Sequence, residues 1–262
     1  MSLDIGEILK DWPYEPGQVT ARRVRGDDGK DKIQLRLDLG LLQMEATGRP
    51  DGERPHGMGS LLEYYEQQLA QHQAKEGTDS GFTLDEEACE LLRSEGVMYY
   101  HRYLAEFVLE DFEAVERDTD RNLRLMDFCS RFGAQEADRV MLEQYRAYVL
   151  MMSARARSRR AIRDSHPKAA LAAVRKGIED IQEFYRNIGR DELVKSSGEI
   201  AVLRVLAKEI EATIPLDPAN KLRQDLARAV REERYEDAAA IRDQLEREKS
   251  AGKSDEGLMP NV

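Results

Sequence analysis

From about Thr83 onward, apolar residues recur at steps of three and four rather than in alternation, the spacing that gathers them on one face of an α-helix. Such faces are buried by packing helix on helix, so most of this chain is expected to be helical. Among its 262 residues, 41% are hydrophobic and 35% charged, enough for a real core surrounded by densely ionised outer faces.

Only the first part departs from that spacing. Gln18 to Arg25 and Lys32 to Leu39 alternate, with Val19, Ala21 and Val24 and then Ile33, Leu35, Leu37 and Leu39 as the apolar members, the period of half-buried strands. Gly26-Asp27-Asp28-Gly29 supplies a turn, and Leu41 to Thr47 gives a third strand after Gly40, so a small antiparallel meander is expected. Three short strands need a helix over one face. Ser60 and Glu63 form a capping-box pattern that opens one, running to His72 with Leu61, Leu62, Tyr65 and Leu69 inward. Residues 48–59 read as loop, and His56 within them as an exposed loop residue. Residues 74–81 lack periodicity and read as a linker that closes a small α+β region over residues 1–73.

Thr83 with Glu86 suggests a second capping box, opening a helix through Ala88, Leu91, Leu92, Val97, Tyr100, Tyr103, Leu104 and Phe107. Another helix runs from Glu110 to Phe132, with Gly133 as terminator. The two-helix phrase then recurs. Glu136 to Arg163 repeats a pair of tyrosines three apart, Tyr145 and Tyr148 against Tyr100 and Tyr103, and His166 to Ile188 supplies the partner helix. The order Ala170, Val174, Gly177, Ile178 resembles the second helix of a tetratricopeptide-type repeat, whereas Val115, Thr119, Asn122 and Leu123 depart from it. The resemblance implies stacked helical hairpins over residues 83–214, with a plain helical bundle as the alternative. Ser196 to Ile214, capped by Ser196 and Glu199 and facing inward through Ile200, Leu203, Leu206 and Ile210, would cover the end.

At the C-terminal end, Asp217-Pro218 reads as an N-cap followed by a first-turn proline, and Leu222, Leu226, Ala229 and Val230 share one helical face. Glu232-Glu233-Arg234 interrupts the pattern. A second helix opens near Tyr235, with Glu236 and Asp237 in its first turn and Ala238, Ile241 and Leu245 inward. Residues 215–218 read as a stiff spacer and residues 249–262 as a disordered polar tail. The string Glu232-Glu233-Arg234-Tyr235-Glu236-Asp237-Ala238-Ala239, continued by Ile241-Arg242-Asp243-Gln244-Leu245, resembles the UVR motif of the excision-repair proteins UvrB and UvrC. It departs at Arg234, where that motif commonly has an acidic residue. The resemblance implies a helical hairpin over residues 217–248 that associates with a second hairpin or a partner domain. The same motif occurs in Clp-type ATPases and in regulators of protein arginine kinases, so it marks a module and not one pathway. On this reading the partner-binding residues are Leu222, Leu226, Val230, Tyr235, Ala238, Ala239, Ile241, Arg242 and Leu245. Ordering a chain costs about 1–2 kcal/mol per residue, more than two short helices recover alone, so their apolar stripe needs a cover.

No glycine-rich phosphate loop, metal-binding histidine pattern, Cys-x-x-Cys pair or nucleophile elbow occurs in the sequence. No catalytic residue, cofactor or metal ligand is therefore expected. Cys89 and Cys129 read as buried thiols and His101 as a packed helix residue. A formal net charge of −11 disfavours broad attraction to phosphate. Arg155, Arg159 and Arg163 nevertheless align at four-residue steps as candidate nucleic-acid contacts, the alternative being ion pairs with the acidic stretch from Glu110 to Asp120. No apolar run suits a membrane span and the first ten residues lack a leader pattern, so a cytoplasmic protein is expected. The sequence thus points to a mainly α, non-enzymatic adaptor or scaffold that captures a protein partner, or itself, through its last hairpin. The alternatives are an accessory factor in nucleotide excision repair or another DNA transaction, and a regulator of a Clp-type protease or protein arginine kinase.

Overall fold

The structure, a computed structural model, describes residues 4–214 and 218–255, which fall into two compact units divided after Glu211. The first begins with a short helix, α1 (Gly6–Leu9), and the expected meander, β1 (Ala21–Arg25), β2 (Asp31–Arg36) and β3 (Leu41–Glu45), antiparallel in the order β1-β2-β3. Ile33, Leu35 and Met44 are buried on one face of it together with Ala105 from a later helix. Leu37 and Leu39, read from the sequence as inward strand residues, are 38% and 88% exposed. The strand ends before them because the chain reverses there, with the Leu37 amide donating to the Gly40 carbonyl at 2.9 Å. The polar residues of β2 are buried too. Lys32 is paired by Asp28 at 2.7 Å and by Glu45, and Gln34 donates to Gln43 at 2.8 Å while accepting from Arg22.

Helix α2 (Leu61–Glu76) starts as its capping box dictates. The Ser60 hydroxyl accepts from the Glu63 amide at 3.1 Å, and the Glu63 carboxylate accepts from the Gly59 amide at 3.0 Å. It continues a turn beyond His72 until Gly77, whose φ of 73° is the left-handed conformation that ends helices most cheaply at glycine. Residues 74–81 are therefore not the linker expected. Part of the segment is helix, and Asp79 is ion-paired with Arg131. The N-terminal residues belong to the same unit as the helices that follow, so the expected boundary there is corrected.

Helix α3 (Glu86–Val108) is capped by Asp85, whose carboxylate accepts from the Ala88 amide at 2.8 Å, and not by Thr83. Leu84 instead bridges to the end of α4 (Phe112–Phe132), donating to the Phe132 carbonyl and accepting from the Ala134 amide. A buried cluster including Leu62, Leu92, Leu125, Met126, Leu142 and Val149 joins α2, α3, α4 and the segment after them. That segment was expected as one helix from Glu136 to Arg163 and is broken into α5 (Glu136–Val140), a 3-10 turn (Glu143–Tyr145) and α6 (Arg146–Arg163). The break admits Leu142 to the core while leaving Val140 57% exposed.

The unit continues with α7 (Pro167–Asn187), α8 (Leu193–Ser196) and α9 (Gly198–Thr213). Ser197, and not Ser196, accepts from the Ile200 amide at 3.2 Å at the start of α9. Ile200, Leu203, Ala207 and Ile210 are its buried residues. At Gly177 of α7 a Cβ would lie 2.3 Å from the Ala154 Cβ of α6 and 3.3 Å from Leu203, so hydrogen at that position permits the close approach.

The helix pairs α3/α4 and α6/α7 turn the same corner. Glu110 and Ser165 take φ of 59° and 62°, and the next amides, Asp111 and His166, donate five residues back to Glu106 and Ala161 at 3.0 and 2.8 Å. This is a Schellman closure in which the residue after the left-handed one caps the next helix.

A buried ionic network ties these elements together. Arg102 of α3, 1% exposed, binds both carboxylate oxygens of Asp118 on α4 at 2.6 and 2.8 Å, and donates to the carbonyls of Glu45 and Gly48 at 3.0 and 2.7 Å. Glu95, fully buried one face along, accepts from the Leu61 and Leu62 amides that open α2 and pairs with Arg121. Replacing Arg102 by Met leaves Asp118 buried without its bidentate partner, and the expected loss is about 3–5 kcal/mol in denaturant unfolding. A loss below about 1 kcal/mol would show the network to be incidental.

Glu106 shares this site, accepting from Arg117 at 2.9 Å with its other oxygen unpartnered. Burial first, then the Asp118 carboxylate, pushes its carboxyl up to about 8. A folded-state value above the unfolded one contributes stability that is complete below about 4.5 and is lost as pH rises toward 8. Glu106→Gln, which holds the neutral form at every pH, should therefore gain in melting temperature relative to the native chain as pH is raised from 5 to 8. A pH-independent difference between the two melting curves refutes this.

Candidate protein-interaction hairpin

The second unit is built on α10 (Pro218–Arg231) and α11 (Tyr235–Asp255). The expected Asp217 N-cap and most of the expected spacer, residues 215–217, lie outside the described residues, as does the end of the tail, residues 256–262. Helix α11 extends beyond the expected end at Glu248, so residues 249–255 are helix and not disordered tail. Residues 249–255, Lys-Ser-Ala-Gly-Lys-Ser-Asp, contain no proline to interrupt the helix, the next being Pro260.

The corner between the two helices repeats the one in the first unit. Glu233 has φ of 59°, its amide donates to the Val230 carbonyl at 3.2 Å, and the Arg234 amide donates to the Ala229 carbonyl at 2.8 Å. Arg234 is held by Glu232 at 2.8 Å and by Asp237 at 2.7 Å. A cation where the motif commonly has an acid thus sits at the positive end of α11, compensated by neighbouring carboxylates.

The nine residues expected to bind a partner are divided by the fold. Ala238 and Leu245 are buried along with Ala229, and Leu222, Leu226 and Ile241 are half-buried, so these apolar positions are already covered. Val230 and Tyr235 are 52% and 68% exposed, and Ala239 and Arg242 are exposed as well. Val230 and Tyr235 flank the corner. The exposed members of the set, available to a partner, are therefore those beside the turn and on the outer side of α11.

The arginine stripe is likewise divided. Arg163 pairs with Glu113, and Arg157 and Arg160 beside it pair with Asp120 and Glu116 at 2.7 and 3.1 Å. Arg155 lies 4.4 Å from the Phe107 ring centroid, half-buried. Arg159 is exposed, with no carboxylate partner among the described residues. The acidic stretch of α4 thus meets the stripe as the alternative reading expected, and no continuous row of free cations remains.

Of the remaining sequence candidates, His101 is lowered by burial and so held toward its neutral form. Cys89 and Cys129 are free buried thiols, pushed by burial up to about 11 and about 12. Among the described residues there is no group of three or more histidine, cysteine, aspartate or glutamate side chains placed to hold a metal ion, and no helix long and apolar enough to cross a membrane.

The second unit is thus a short two-helix hairpin with a filled seam and an apolar, aromatic corner. Comparison with protein families gives that hairpin a name: the model of the UvrB/uvrC motif, UVR, matches residues 218–250, which are α10, the corner and most of α11. The chain therefore carries a UVR motif at its C-terminal end. Comparison with curated proteins and with solved structures gives no match.

The corner carries a test of its own. Glutamate in the left-handed conformation is disfavoured relative to glycine, so Glu233→Gly should stabilise the hairpin by about 0.5–1 kcal/mol. Hydrogen exchange at the Glu233 and Arg234 amides, bonded back across this turn to Val230 and Ala229, should slow by roughly 2- to 5-fold. Faster exchange in the variant would mean that the corner does not adopt this geometry.

Proposed function

We propose that this protein is a non-enzymatic adaptor, in which the helical first unit is a platform and the UVR hairpin captures a protein partner or a second copy of the chain. One observation carries the proposal. The hairpin covers its own seam with Ala229, Ala238 and Leu245, yet leaves Val230 and Tyr235 exposed beside its corner. Exposed tyrosine beside an aliphatic residue is the composition of an interface anchor, since a large rigid ring loses little entropy on docking. The UVR match supports the same reading, because the motif serves interaction in UvrB and UvrC. The stacked pairs α3/α4 and α6/α7 support a tetratricopeptide-like platform. The proposal includes no catalytic step and no cofactor, and it places the protein in the cytoplasm.

A role in nucleotide excision repair or another DNA transaction shares the hairpin but needs a phosphate-binding surface elsewhere, and Arg155 and Arg163 are engaged internally. Regulation of a Clp-type protease or a protein arginine kinase differs only in the partner captured. The deciding experiment compares proteins retained from native extract by the full chain, by a chain ending at Ile214, and by the Val230→Asp, Tyr235→Ala double variant. The expected outcome is a defined partner set lost with both altered chains while helical content persists. Affinity for an isolated member of that set should fall by at least about 30-fold in the double variant, corresponding to about 2 kcal/mol for an interface anchor. Identical sets for all three chains would reject the hairpin as the capture element.

A further inference from the structure

A groove of about 740 Å³ lies within the first unit, walled by α3 and α6 and the turn before α6, floored by α4 and closed at one side by the start of α9. The volume is in the range of ligand-sized sites, and its walls are the tyrosines that stood out in the sequence as a repeated pair. Tyr100 meets Tyr103 edge to face, centroids 5.5 Å apart at 90°, and meets Tyr148 at 6.2 Å and 59°. Tyr145, 53% exposed, lines the same groove. Tyr103 is buried against Tyr100, so the rings that stay accessible are those of Tyr100, Tyr145 and Tyr148, aromatic surface of the kind that receives an organic cation.

The rim has matching charge. Glu90 and Glu199 line the groove, and so does Arg93, but Arg93 is held by Glu90 and by the Met141 sulfur at 2.7 Å. Glu199 accepts from the Ser197 hydroxyl at 2.8 Å and has no cationic partner among the described residues. One carboxylate is thus left uncompensated beside the aromatic walls. The floor carries Leu125 and Met126 beside Asn122, and the groove is larger than one cation requires.

We propose that this groove binds a polypeptide segment presenting an arginine or lysine side chain next to an aliphatic one, the cation against the accessible tyrosine rings and toward Glu199 and the aliphatic group on the floor. This is a second binding surface, separate from the UVR hairpin and independent of the adaptor reading. It makes no use of Val230 or Tyr235.

The test uses the full chain and fluorescein-labelled nonapeptides centred on Leu-Arg-Leu, Leu-Lys-Leu, Leu-citrulline-Leu and Leu-Glu-Leu, with free arginine amide as competitor, read by fluorescence anisotropy. Citrulline keeps the shape of arginine and removes its charge. The arginine and lysine peptides should bind, with citrulline weakening binding by roughly 5- to 10-fold and glutamate by more. Tyr145→Ala and Glu199→Gln, both outside the core, should each weaken the arginine peptide at least about 3-fold with melting temperature unchanged. Equal binding of the arginine and citrulline peptides, binding indifferent to both variants, or no binding by any peptide overturns the proposal. Displacement by arginine amide at the peptide's own concentration would replace it with a small-cation site.

Discussion

The first unit depends on one buried arginine. Arg102 is charged, 1% exposed and held by partners from two other parts of the chain: Asp118 on α4 and the backbone carbonyls of Glu45 and Gly48 at the end of the sheet. A guanidinium in such a place is tolerable only because its planar fork meets a carboxylate bidentately and its remaining donors find carbonyl oxygens. Each bond is directional, so the network sets how the meander lies on α3, where apolar contact alone would allow several poses. Glu95 does the same for α2 by accepting from the amides that open that helix.

Around this polar centre the helices are organised by repetition of one corner. Glu110, Ser165 and Glu233 all occupy left-handed backbone, each bringing an amide five residues back onto a helical carbonyl. None of the three is glycine. The modest strain at each corner is offset by closing the helix end and opening the next helix within a residue or two. The UVR hairpin thus uses a local geometry already present in the first unit.

Much of the fold was legible in the sequence where a local rule acts alone. The meander follows from period-two spacing and Gly26, the start of α2 from Ser60 and Glu63, and the C-terminal hairpin from an unusually specific string. Failures came where tertiary contact outweighed the local rule. Thr83 lost its capping role because Leu84 is drawn into a bridge with Gly133, and the long helix from Glu136 broke so that Leu142 could enter the core. The apolar hairpin residues looked equivalent as a helical stripe, yet packing buried Ala238 and Leu245 and exposed Val230 and Tyr235.

What the sequence by itself determined is the class of each segment and the presence of a UVR motif, because helix period, strand period and the motif string are short-range properties. The tertiary structure alone decided which charged residues are available. Arg163 and Arg160 are taken by carboxylates of α4, Arg155 rests on Phe107, and Glu199 lines a groove with four tyrosines and has no cationic partner among the described residues. Charge pairing acts through space between residues far apart in the chain, and no spacing rule along one sequence encodes it.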